Sequence, residues 1–210
     1  MLGDIVGSRR HGQDPVRRRR IQEALALANE RTSPRQPLTP TIGDEFQGLF
    51  HDVLSALEAT LVVRLAGLGE VDVRFGIGSG ALTAFDADAA PFRQDGPAWW
   101  AAREAVDLVR GEEQRQERPR GLRTRWIDAG SRSRAEVTSM NAFLLCRDDL
   151  VASMDRRDAE TLLGLLADEP LGSIARAQGV SVSAISQRAI RNGLYGIRQA
   201  HRELREAAAG

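Results

Sequence analysis

Apolar positions alternate and then turn helical several times along the chain. "MLGDIVGS" reads as a short strand running into a glycine loop. Few apolar residues precede that turn, which leaves open a truncated chain or a misassigned start. "DPVRRRRIQEALALANERT" places Ile21, Leu25 and Ala28 at helical spacing, with Asp14 and Pro15 as cap and first-turn residue. "SPRQP" is a loop. "LTPTIGDEFQGLF" has two apolar runs around Gly43-Asp44, a hairpin pattern whose first run Pro40 puts at an edge or bend. "DVLSALEATLVVRLAGL" is an amphipathic helix. "VDVRFGIGSGAL" alternates Val71, Val73, Phe75 and Ile77 as a strand, and Gly76, Gly78 and Gly80 permit close backbone approach. "GPAWWAAREAVDLVRG" begins a helix near Pro97, "RTRWIDA" is a further strand, and residues 134 to 153 are helical.

The order strand, helix, hairpin, helix, strand, helix predicts an α+β sandwich with helices over an antiparallel sheet, palm-like or ferredoxin-like. After about residue 153 the pattern is helical only. The predicted division is an α+β domain over 1–150 and an all-α helix-turn-helix domain over 151–210.

In "LGSIARAQGVSVSAISQRAIR" the spacing Ala175, Gly179, Ile185 is that of a helix-turn-helix. A small Ala lets two helices cross closely. The Gly permits a left-handed turn, and the Ile packs the second helix down. Residues 155 to 168 supply a supporting helix. Val182, Ile185 and Ile190 are expected to form the second helix's apolar face. Its exposed positions are then Ser183, Ala184, Ser186, Gln187, Arg188 and Arg191. Gln and Arg can read base edges, while Ser and Arg hold phosphates. The expected DNA contacts are Ser183, Ser186, Gln187, Arg188 and Arg191. One such unit makes a small interface, so a homodimer on two half-sites is expected. The competing reading is a protein-docking module without DNA binding.

The composition adds restrictions. With 42% apolar and 28% charged residues the chain is ordinary and soluble, with net charge zero. From Leu171 onward six Arg stand against two Glu, a net +4 that leaves the preceding residues near −4. All 29 basic residues are Arg, which excludes mechanisms that need a Lys. Cys146 is the single cysteine, so internal disulfides and Cys-based zinc sites are excluded. There is no secretory pattern and no apolar run of about 18 residues, which points to the cytoplasm and away from the membrane. His11, His51 and His201 are too scattered for a ligand set.

Two acidic corners carry the candidate chemistry. Asp4 follows the first strand and Asp44 tips the hairpin, so both carboxylates are placed on neighbouring strands. Hard cations such as Mg²⁺ or Mn²⁺ take oxygen ligands, often one or two carboxylates plus substrate phosphates. Gly3, Gly7, Ser8 and Gly43 allow backbone N–H groups to approach phosphate oxygens. Glu45 and Gln47 are either supporting groups or plain alternate strand positions. Arg74 either pairs with an acidic corner or faces solvent. Trp99 and Trp100 either stack on a base or pack a helix start on the sheet.

"LGDIVGS", "TIGDEFQGLF" and "VRFGIGSGAL", in that order, resemble three motifs of class III nucleotide cyclase domains, with palm-type diguanylate cyclases more distant. The closer resemblance is to the SatD-like family of small bacterial proteins, which adds a block matching "DGPAWWAAREA". It covers roughly residues 2 to 110. By position the resemblance implies that Asp4 and Asp44 match the cyclases' metal aspartates. Ile5 then matches the residue whose carbonyl joins them, and Arg103 falls near the Arg that stabilises the transition state. Gly7, Ser8, Gly43 and Glu45 would line a nucleotide or phosphate cleft. Two departures stand out. Thr39, Pro40 and Thr41 occupy the place of the purine-reading Lys, and Trp99 or Trp100 that of the Asn beside the catalytic Arg. These departures favour metal and nucleotide binding over catalysis, with an active nucleotidyl cyclase or phosphoryl-transfer enzyme as the alternative. The C-terminal part resembles the helix-turn-helix of sigma-region-4-like regulators.

Overall fold

The computed structural model describes residues 1–7, 14–41, 43–86, 93–113, 115, 119 and 121–209. Strand β1 (Leu2–Ile5) leads to helix α1 (Pro15–Thr32), whose first turn Asp14 caps by accepting from the Val16 N–H at 3.0 Å. The hairpin β2 (Gln36–Pro40) and β3 (Glu45–Leu49) follows, then α2 (Val53–Ala66) and β4 (Val73–Ser79). A small two-stranded sheet, β5 (Thr83–Asp86) and β6 (Arg93–Asp95), was not foreseen; it precedes α3 (Pro97–Glu112). Strand β7 (Thr124–Asp128) and α4 (Arg134–Ala152) complete the α+β part.

The main sheet runs β2-β3-β1-β4-β7. Its first four strands are antiparallel to their neighbours, as expected. The fifth is not: β7 pairs parallel to β4, so the sheet is mixed and not purely antiparallel. The reason is the connection. After β4 the chain crosses the sheet on α3 before β7 begins, and a crossover by a helix returns a strand in the same direction. Both edge strands carry protection. β2 has Pro37 and Pro40, and on β7 the Asn141 amide bonds both Trp126 backbone groups, at 2.9 and 2.8 Å.

One face of the sheet buries Phe46, Val73, Phe75, Ile77 and Trp126 against α1, α2 and Leu144 of α4. On the other face α3 lies directly over β4. A Cβ on Gly76 or Gly78 would run into the α3 backbone at Ala102 or Ala98, so both glycines are there for this close approach. Leu2 packs against Ala102 and Val106 on that side. Farther along the same face, Thr39, Glu45 and Gln47 are polar and at least partly exposed.

The C-terminal helical region contains α5 (Arg156–Leu166), α6 (Leu171–Gln178), α7 (Val182–Arg191) and α8 (Leu194–Ala209). These helices share a second core, into which α2 sends Leu61 and Leu65. Among the described residues no helix is long and apolar enough to cross a membrane.

Candidate functional site

The register of β1 brings the acidic corners together. Asp4 lies opposite Glu45 on one side and opposite Arg74 on the other. The Ile5 N–H donates to the Asp44 carbonyl at 3.1 Å, so Asp44 sits beside the end of β1. Gly43, just before it, has φ +80°, a turn conformation that L side chains rarely adopt. Gly7 has φ +73° in the turn after β1. Ser8 and His11 lie outside the described residues.

Asp4 is 4% exposed, and both oxygens of its carboxylate face cations. Arg74 donates to Oδ2 at 2.5 Å, and Arg110 of α3 stands 3.2 Å from Oδ1. Beside this pair, Glu45 accepts two bonds from the Arg103 guanidinium, at 2.6 and 2.8 Å. That guanidinium holds the Glu45 carboxyl below the usual carboxylate range. Arg103 and Arg110, seven residues apart, present one face of α3 to the acidic strand ends.

From Arg74 the charges continue inward. Arg74 bonds Glu113 at 2.9 and 2.5 Å, and Arg123 stands 3.2 Å from Glu113. Arg123 also bonds Asp72, and its backbone N–H donates to Asp148 at 2.8 Å. Asp148 is fully buried, with Arg64 at 2.7 Å and Arg147 at 2.9 Å. Arg147 is itself buried and also donates to the Leu57 carbonyl, Thr60 and Thr124. Burial raises the Asp148 carboxyl, but its two guanidinium partners and the Arg123 N–H outweigh that, and the group stays ionised.

A divalent cation at Asp4 competes with both guanidiniums. It fits only after exchange with one of them, and Arg110, longer and 43% exposed, is the easier to displace. Among the described residues no three His, Cys, Asp or Glu side chains are grouped as a metal site.

The second candidate surface is built by α6 and α7. Gly179 ends α6 with φ +65°, and the Val180 N–H closes back on the Ala175 carbonyl at 3.0 Å. Ser181 caps α7 by accepting from the Ala184 N–H at 3.2 Å. Ile174, Ala175, Ile185 and Ala189 are buried. Gly164 of α5 admits the Ile174 side chain closely. Residues 1–169 match the model of the SatD family. The chain belongs to the SatD family. No curated protein and no solved structure matches it. The likenesses to nucleotide cyclases and to sigma region 4 therefore stay readings of the motifs. Helices α6 to α8 of this SatD chain lie beyond the matched span.

Two expectations about α7 are corrected. Ile190 is 69% exposed and Val182 48% exposed, so neither is core. Helical period puts Ala189, four residues after Ile185, on the buried face. Arg188 is not an outward group. Its side chain is 15% exposed, donates to Gln178 at 2.8 Å and stands 3.7 Å from Asp158. Gln178 in turn bonds Thr161, and Asn192 bonds Asp158, so these polar groups tie α5, α6 and α7 together. Ser183, Gln187 and Arg191 are exposed, and Ser186 is partly so. Arg191 makes no ion pair among the described residues.

Of the paired alternatives, Arg74 takes the acidic corner, not solvent. Trp99 packs against the Leu2, Ala102 and Val106 cluster, whereas Trp100 is 60% exposed. His201 is buried and His51 exposed. The sequence reading missed Arg110, Glu113, Arg123 and Asp148. Only Arg110 had a usable signal, its two-turn spacing from Arg103.

Proposed function

We propose that this SatD-family chain is a bacterial cytoplasmic regulatory protein. Its C-terminal helix-turn-helix binds DNA, and its Asp4–Asp44 corner takes a nucleotide or other phosphorylated ligand. The observation that carries the DNA reading is the α6–Gly179–α7 turn, with Ser183, Gln187 and Arg191 exposed on α7. Such a unit presents its second helix to the major groove, and a homodimer would place two copies on two half-sites. Arg176, Arg191 and Arg202 are exposed and supply cations for backbone phosphates.

A labelled mixed-sequence duplex, titrated by fluorescence anisotropy between about 50 and 200 mM salt, tests this. Binding should weaken steeply with salt, and Arg191→Ala should reduce the logarithmic salt slope by about one. Absence of retention at low salt, or retention indifferent to salt, overturns the DNA reading.

For the corner, Mg²⁺ or Mn²⁺ is the proposed companion of the phosphorylated ligand, entering in place of Arg110. Calorimetry with Mn²⁺ plus ATP or GTP should show binding that Asp44→Asn removes and Arg110→Ala strengthens. Equal binding by the native protein and Asp44→Asn sinks this half of the proposal. No cyclic product is expected from ATP or GTP, and its appearance would make the chain a cyclase.

A further inference from the structure

We infer that Ile190 is a specificity-determining residue that reads a thymine methyl group beside an adenine read by Gln187. This rests on the DNA reading above. With Ile185 and Ala189 buried, the opposite side of α7 carries Ser183, Gln187 and Ile190 in line, at i, i+4 and i+7. Ser186 and Arg191 flank that line. Ile190 is therefore central on the outward face and more exposed than any other large apolar side chain among the described residues. It is also the one aliphatic group in the line it shares with Ser183 and Gln187.

Scattered exposed aliphatics are ordinary on protein surfaces. What distinguishes Ile190 is its alignment with Gln187. In the major groove the only apolar feature of a base edge is the thymine C5-methyl, and Gln is the residue that pairs bidentately with adenine N6 and N7. Three residues of helix advance about 4.5 Å along its axis, close to one base step of about 3.4 Å. Gln187 and Ile190 thus match adjacent A·T pairs. Arg188, held by Gln178 and near Asp158, fixes the helix that presents them and reads no base itself.

The full-length chain is used to enrich duplexes from a random-sequence pool, and each thymine of the enriched duplex is replaced by deoxyuridine. That change removes only the methyl group. At one thymine per half-site the native chain should bind about fourfold more weakly, the worth of one buried methyl. Ile190→Ala should bind both duplexes equally while keeping its salt-dependent retention and its melting temperature. Gln187→Ala should relax selection at the neighbouring adenine. Deoxyuridine tolerated at every position, or an Ile190→Ala response equal to the native one, overturns the inference and leaves the DNA reading standing. Retention without any enriched sequence also overturns it. Loss of all salt-dependent retention in the native chain overturns the DNA reading itself.

Discussion

Acidification should loosen the C-terminal helices through one imidazole. His201 of α8 is 4% exposed, its ring meets Phe143 edge-on at 5.8 Å between centroids, and its buried Nε2 has no hydrogen-bond partner among the described residues. Burial, then the Arg147 guanidinium from α4 and Arg205 on α8 itself, lowers its pKa to about 3. Glu58 of α2 approaches Arg205 at 3.8 Å. In the unfolded chain a His titrates near 6.5. The folded pKa is depressed, so the neutral imidazole is the stable partner of the fold. Its contribution is fully present above pH about 6.5 and declines as pH falls toward 3. At pH 5 the unfolded imidazole is almost wholly protonated and the folded one is not, a loss of about 2 kcal/mol. Glu58 runs the other way, because burial raises its carboxyl, so acidification relieves a penalty there. Urea unfolding of the native chain and of His201→Leu, at pH 7.5 and pH 5, separates the two, since both proteins keep Glu58. The native chain should lose about 2 kcal/mol more than the variant across that interval. Equal losses in the two proteins would show that the imidazole does not titrate with the fold and refute the reasoning.

Two further substitutions test the packing around the candidate corner. Gly78→Ala inserts a Cβ into the α3 backbone at Ala98, and neither strand nor helix backbone yields cheaply. It should cost about 3 kcal/mol in chemical denaturation, and a cost under about 1 kcal/mol would mean that α3 rides loosely over β4. Asp148→Asn leaves Arg64 and Arg147 buried beside a neutral amide. It should cost about 3–5 kcal/mol by denaturation, and a near-neutral result would mean that the two guanidiniums find water or another anion.

The elements were legible where the signal was local. Alternation of Val73, Phe75 and Ile77 marks β4, and the Ala175–Gly179–Ile185 spacing marks the turn between α6 and α7, because each depends on residues within about ten positions of one another. Gly76 and Gly78 of β4 mark places of close approach in the sequence and in the fold. The approaching group, the α3 backbone, is not legible, since it lies twenty or more residues away in the chain. The direction of β7 was hidden for the same reason, being set by the crossover and not by any residue of the strand. Hydrophobic identity points to Ile190 as core, whereas helical period favours the small Ala189, which is the buried one. The charge pairs were the least legible. Arg74 reaches Asp4 across 70 residues and Glu113 across 39, and a sequence rich in Arg offers many equivalent partners.

The corner and the C-terminal helical region are joined by ordinary packing and charge. Helix α2 faces both cores, giving Val62 and Val63 to the first and Leu61 and Leu65 to the second. Ion pairs and one backbone bond run from Asp4 through Arg74, Glu113 and Arg123 to Asp148, which lies between Arg64 of α2 and Arg147 of α4. Arg147 in turn lowers the pKa of His201 on α8. Contiguity of this kind is a route for coupling, and a coupling free energy exists only when a ligand binds two arrangements of the route unequally. The arrangement at Asp4 meets the first requirement for such inequality. A cation arriving there must separate a carboxylate from a guanidinium, and the displaced Arg74 or Arg110 needs a new anion. Arg110 has Asp107 at 3.3 Å as an exposed alternative, so its release leaves the interior unchanged. Among the described residues Arg74 has Glu113 as its remaining anion, which Arg123 already shares. Displacement of Arg74 would therefore break into the inward chain of ion pairs, whereas displacement of Arg110 would leave that chain intact.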